Sequence, residues 1–130
     1  MACLYRLRGV LASGGIAVGA TTQIPSPTIV EILGRVGYDF TIIDTEHGQF
    51  DMETARGLIR VAQGSNLSPL VRVVNNDPTR ILRALDAGAE GIIIPHVSSA
   101  TDASKAVAAC RYWPHGHRGA CPLVRAADYG

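Results

Sequence analysis

Short, unbroken apolar runs alternate along this chain with segments in which apolar residues return every three or four positions. The first pattern reads as a buried strand and the second as an amphipathic helix. Tyr5 to Ala12 is predicted as a short helix and Ile16 to Ala20 as a first strand. Ser26-Pro27 offers a cap and a first-turn proline to a helix with Ile29, Leu33 and Val36 on one face, ended by Gly37. Phe40 to Ile43 is a second strand, bounded by Asp44. Asp51 caps a helix carrying Met52, Ala55, Ile59 and Ala62, stopped at Gly64. Leu70 to Val74 is a third strand. Asp77-Pro78 repeats the cap-plus-proline start for a helix with Ile81, Leu82 and Leu85 buried, closed by Gly88. Gly91 to Pro95 is a fourth strand, and Thr101 or Asp102 opens a helix with Ala103, Val107 and Cys110 on one face. Arg111 to Gly130 reads as Gly/Pro-rich loop with one short strand near Leu123.

The order is therefore β-α-β-α-β-α-β-α. Strands that alternate with helices imply an α/β fold with a parallel sheet, and strands apolar on both faces predict cover on both. The strand starts repeat about every 25 residues, the unit of a (β/α) barrel of TIM type, which needs about 250 residues in full. About four βα units are present, so residues 1–130 are expected to form a single domain, half of such a barrel. A doubly wound sheet is the rival, but its dinucleotide fingerprint is missing. The first turn reads Thr21-Thr22-Gln23 where G-x-G-x-x-G would stand.

Charge and composition narrow the function. Twelve basic against eleven acidic residues leave a net charge of +1, with no clustered excess to grip nucleic acid or a membrane surface. No run of about 18 uncharged apolar residues exists to span a bilayer. Arg6-Leu7-Arg8 before Gly9 to Ala12 imitates a signal peptide, but Ser13-Gly14-Gly15 interrupts the apolar stretch. Cys3, Cys110 and Cys121 are odd in number and lack C-x-x-C spacing, which fits a reducing cytoplasm rather than a disulfide framework or zinc cage.

Parallel sheets build their sites at the carboxyl ends of strands. After strand two stand Asp44, Glu46 and His47, more ionisable groups than a turn needs. Asp44 is expected to accept a hydrogen bond from one ring nitrogen of His47, leaving the other as a base. An ordinary polar turn that caps the next helix is the alternative. Arg72 interrupts an otherwise aliphatic strand. A buried guanidinium is costly unless an anion meets it, and its fork suits a carboxylate. An edge-strand arginine reaching solvent is the other reading. His96 follows strand four and is placed at the mouth or as a satisfied loop histidine.

Weaker candidates read mainly as structure. Asn75-Asn76-Asp77 is a turn and cap, and Asp86 is a last-turn helix residue. His115 and His117 have metal-compatible spacing but no third ligand. Arg118 and Arg125 are anion contacts or solvated charges. Lys105, the single lysine, lies on a helix, against a Schiff-base mechanism.

Several blocks in order also resemble one family. Gly37 to Gly48 is similar to the strand-two signature of the HpcH/HpaI aldolases, metal-dependent (class II) 2-keto-acid aldolases. So are Pro69 to Val73, Asn76-Asp77-Pro78, Leu85 to Ala89, Ile94 to Val97, and the pattern of Arg111, Tyr112, Pro114, Gly116, Arg118 and Gly119. The resemblance runs from residue 16 onward. It implies the N-terminal half of a (β/α)8 barrel and a lyase that cleaves 4-hydroxy-2-oxo acids to pyruvate and an aldehyde.

By the same resemblance a divalent cation (Mg, Mn or Co) chelates the keto acid. His47 acts as base on the aldol hydroxyl and Asp44 orients it. Arg72 holds the keto-acid oxygens, with Glu46 and His96 as further substrate contacts. The family's metal ligands, a Glu and an Asp, belong to later strands, expected beyond Gly130. The chain alone is therefore expected to be weakly active or inactive, and a homo-oligomer if full-length. The alternative is a non-catalytic half barrel that buries its open sheet edges as an oligomerising interaction module. A phosphate-handling barrel half is a third reading, disfavoured by too few glycines at strand ends.

Overall fold

Each long helix begins where the sequence supplies a side-chain acceptor. Ser26 accepts from the Ile29 backbone N–H at 3.3 Å, Asp51 from Thr54 at 2.9 Å and Asp77 from Arg80 at 2.9 Å. These bonds satisfy first-turn donors that have no partner within the helix. The computed structural model describes residues 6–130, so Cys3 and the predicted start at Tyr5 lie outside the described residues. The elements are α1 (Arg6–Ala12), β1 (Gly19–Thr22), α2 (Pro27–Arg35), β2 (Phe40–Asp44), α3 (Met52–Gly64), β3 (Ser68–Arg72), α4 (Pro78–Asp86), β4 (Gly91–Ile93) and α5 (Ala100–Cys110). A 3-10 turn, Arg125–Ala127, stands where a strand near Leu123 is expected.

The four strands are parallel and lie in chain order, β1-β2-β3-β4. Right-handed crossovers between successive neighbours all fall on one side of a sheet. Each helix from α2 onward packs on the next, forming one layer. A doubly wound sheet needs a reversal of strand order, and this sheet has none. The architecture is that of half a (β/α) barrel.

Burial follows the single helix layer, which corrects the expectation of strands covered on both faces. Thr41, Ile43 and Val71 are fully buried under the helices, against Ala55, Leu58, Ile59, Ile81 and Ala84. Phe40, Ile42 and Leu70 alternate with them on the other face and stay partly exposed. Two helix faces also differ from expectation. On α2 only Val30 is fully buried, while Ile29, Ile32 and Val36 are exposed. On α5 the buried positions are Ala106 and Ala109, and Val107 is exposed. Both helices are apolar over too much of their circumference for spacing to select one face.

Chain reversals use the left-handed backbone where expected. Gly37 (φ 97°) follows α2 and Gly88 (φ 102°) follows α4. After α3 the helix runs through Gly64, and Asn66 (φ 56°) takes the left-handed position. Below the sheet, Asp39 ties three segments together. It accepts from Arg6 Nε at 2.9 Å and from the Val18 N–H at 2.9 Å, and its own N–H donates to the Val18 carbonyl at 2.7 Å.

Candidate active site

Asp44 ends β2 and Arg72 ends β3, and the strand register sets them directly opposite each other. Arg72 Nε and Nη2 donate to the two Asp44 carboxylate oxygens at 2.9 and 2.6 Å, a bidentate pair. Asp44 is fully buried and also accepts from Gln23 Nε2 at 2.8 Å and from the backbone N–H groups of Glu46 (3.0 Å) and His47 (3.2 Å). The Arg72 fork holds the Asp44 carboxyl well below the usual carboxylate range. Burial opposes that shift, and Gln23 and the two backbone donors add to it. Asp44 in turn raises the Arg72 guanidinium.

This geometry corrects one expectation. The Asp44 carboxylate reaches the backbone N–H of His47, and none of its five donors is the His47 ring. A residue three positions along the chain is closer in sequence, but parallel register delivers the Arg72 fork head-on.

Glu46 joins the remaining groups. Its Oε2 lies 3.3 Å from Arg72 Nε and 3.8 Å from His47 Nε2, and its Oε1 lies 3.3 Å from His96 Nε2. The Glu46 side chain is nearly buried, whereas the two imidazoles are open to solvent. His96 adopts a left-handed backbone (φ 57°) just beyond β4, a conformation that histidine tolerates better than most residues. The five expected residues thus meet at the carboxyl ends of β2, β3 and β4. Asp44 uses Nε and Nη2 and leaves Arg72 Nη1 over, the Arg72 side chain is 28% exposed, and Glu46 bridges it to the exposed His47 ring. A fixed cation beside an imidazole can bind an oxyanion and move a proton nearby.

Two supporting residues escape a sequence reading. Gln23, just after β1, looks like a turn residue until register brings it to Asp44. Thr45 donates its hydroxyl and its N–H to the Arg72 carbonyl at 2.7 and 3.0 Å, fixing the backbone that carries the fork. The weaker candidates divide. Asn76 bonds the Asp102 carbonyl at 3.0 Å and Asp77 caps α4, both structural. Asp86 pairs with Arg118 at 2.7 Å at the opposite ends of the strands. His115 and His117 are exposed, and no three His, Cys, Asp or Glu among the described residues come together to hold a metal ion. The mouth residues therefore do not fit a complete metal cage. Glu46, the nearest carboxylate, is turned toward Arg72 and His96.

Comparison with known proteins identifies the family. The model of the HpcH/HpaI aldolase/citrate lyase family matches residues 22–127. The chain is 37% identical to the pyruvate aldolase of Rhizobium etli, covering 92% of this chain and 47% of that protein. It is 35% identical to the 5-keto-4-deoxy-D-glucarate aldolase of Salmonella paratyphi A, covering 96% and 49%. The crystal structure of an HpcH/HpaI aldolase from Desulfitobacterium hafniense superposes with a TM-score of 0.84 at 35% identity, covering 90% of this chain and 46% of that one. The chain thus spans about half the length of the curated relatives it matches. With the family model matching most of its residues and the fold superposing at this identity, the chain belongs to the HpcH/HpaI aldolase/citrate lyase family.

Proposed function

We propose that this chain carries the keto-acid half of the active site of an aldolase that cleaves 4-hydroxy-2-oxo acids to pyruvate and an aldehyde. Residues 1–130 are read as one domain, the first half of the barrel. The observation that carries the reading is the Arg72 guanidinium at the end of β3, clamped by buried Asp44 through Nε and Nη2 yet still 28% exposed, with Nη1 not used by Asp44.

In the cleavage direction His47 takes the proton of the substrate's aldol hydroxyl. The C3–C4 bond breaks, its electron pair moves to the 2-oxo group, and the aldehyde leaves. The pyruvate enolate that remains carries negative charge on oxygen, and Arg72 Nη1 meets it. A donor preorganised toward developing charge is worth about 3 kcal/mol of barrier lowering. Asp44 holds the guanidinium and, through backbone N–H groups, the chain that carries His47. Glu46 and His96 border the substrate. A divalent cation, when bound in enzymes of this class, polarises the keto acid, but the described residues build no cage for it and no step here runs through one. The names of the relatives, a pyruvate aldolase and a keto-deoxy-glucarate aldolase, agree with keto-acid chemistry.

Titrating pyruvate into isotope-labelled protein, read by NMR at the Arg72 Nε–H and the His47 ring, tests the reading. Saturable shifts at both are expected, and shifts confined to other residues overturn it. Pyruvate release by the 130-residue chain with added Mg, Mn or Co is expected to be weak or absent. Robust release abolished by a chelator contradicts that expectation. A cytoplasmic location is part of this reading, resting on three cysteines, an odd number without C-x-x-C spacing.

A second reading is favoured by exposed apolar side chains. Ile16 and Val18 before β1, and Ile24, Ile32 and Val36 around α2, stand open beside a strand paired on one side only. The half barrel would then act as an oligomerising module. Sizing across a range of concentrations separates the two, since a stable monomer at all concentrations counts against it.

A further inference from the structure

We propose that a second site, a pocket for a small multivalent oxyanion such as phosphate or a polycarboxylate, lies at the amino ends of the strands, opposite the mouth. A cleft of about 490 Å³ opens there beside Gly88 to Ile92, and the side chains of Arg8, Arg111, Arg118 and Arg125 line it. A guanidinium has donors only, so four of them facing one cavity select an acceptor-rich anion.

The charges do not cancel within the cavity. Asp86 takes Arg118 Nη2 at 2.7 Å, and Glu90 is attracted by Arg8. Arg125 donates its Nε to the neutral Gln63 amide at 2.8 Å, and its stem lies against Gly88. Arg111, after α5, has no carboxylate bonded to it among the described residues. Two positive charges are therefore left over. Arg118 supplies the second observation. Its side chain is only 9% exposed, its guanidinium stacks 4.7 Å from the Tyr112 ring, and its buried Nε has no hydrogen-bond partner among the described residues. A buried charged donor without an acceptor is costly, so Arg118 brings a positive charge with unmet donor capacity to the wall of this cleft.

Trp113, the single tryptophan, lies outside the cleft but directly follows Tyr112, which lines it, so its fluorescence is the nearest intrinsic probe. The test titrates inorganic phosphate and, separately, citrate against the 130-residue chain, with sodium chloride at matched ionic strength, and repeats the tighter titration by calorimetry. Saturable binding of at least one oxyanion is expected, and the tighter of the two identifies the ligand class. Arg111→Gln and Arg125→Gln are each expected to weaken binding by about tenfold. Glu90→Gln, which removes an opposing charge, is expected to tighten it, an effect that a purely structural cluster does not produce. A response reproduced by chloride, or affinity unmoved in both arginine variants, or weaker binding in Glu90→Gln, overturns the site. The readout involves neither pyruvate nor the mouth residues, so it stands or falls apart from the aldolase reading.

Discussion

Asp44 and Arg72 end adjacent parallel strands in direct register, and two charge-assisted hydrogen bonds of 2.9 and 2.6 Å join a fully buried carboxylate to a guanidinium that still reaches the mouth. One residue thus satisfies the other's charge and aims it. That dual dependence gives the pair measurable consequences.

Arg72→Lys keeps the positive charge but loses the planar fork, so at most one of the two bonds survives. Stability is expected to fall by about 2 kcal/mol, the worth of one hydrogen bond to a charged group. Arg72→Ala leaves the buried carboxylate without a counter-charge and is expected to cost more, about 3–5 kcal/mol. Urea unfolding of the two variants measures both losses, and equal stability of wild type and Arg72→Lys contradicts the bidentate clamp.

Acid should unfold the protein partly through Asp44. Its carboxyl titrates below its ordinary value of 3.8 in the folded state. A depressed folded-state pKa stabilises fully above the unfolded value, so the contribution is complete above about pH 5 and is lost as the pH falls through the folded-state value. Asp39, Asp51 and Asp102 shift the same way and remain in every variant. Urea midpoints from pH 7 to pH 3 should therefore fall less steeply in Asp44→Asn than in wild type. Parallel slopes would mean that Asp44 does not titrate as the geometry requires.

Gly34 sits inside α2, where alanine ordinarily gains about 1 kcal/mol. Here a Cβ would come within 2.7 Å of Ser65 Cβ and against the Ser65 backbone at the end of α3. Backbone cannot swing aside as a side-chain tip can, so overpacking by about 1–3 kcal/mol outweighs the propensity gain. Gly34→Ala is expected to lower the urea midpoint, and a raised midpoint would show that α2 and α3 are not in close contact.

The alternation of strands and helices was legible because caps and prolines punctuate it. Ser26, Asp51 and Asp77 all cap as their sequence context implies. The strand ends were less legible. Ile16 and Val18 look like a strand, but Asp39 takes both backbone groups of Val18 and the ladder begins at Gly19. β3 starts earlier than the apolar run, at Ser68, and ends at Arg72 rather than Val74, so Leu70 to Arg72 is the part that matches expectation. At the site, Arg72 stood out as the lone charge in an aliphatic strand, and Asp44, Glu46 and His47 as a dense ionisable cluster. Their partnership was not legible, since which group faces Asp44 depends on register between β2 and β3. Gln23 and Thr45 escaped for the same reason, being neutral residues whose role exists only across strands.

The account turns on Arg72 stabilising a keto-acid enolate and on His47 as the base beside it, which serves the aldol hydroxyl in cleavage and the methyl carbon when pyruvate itself enolises. Exchange of the pyruvate methyl protons for deuterium isolates that half-reaction and needs no aldehyde. Followed by NMR with the 130-residue chain, exchange is expected to exceed the buffer rate. His47→Asn, at an exposed position that leaves the Asp44–Arg72 clamp intact, is expected to slow it by about 10²-fold. Exchange no faster than buffer, or equally fast in His47→Asn, would contradict the account.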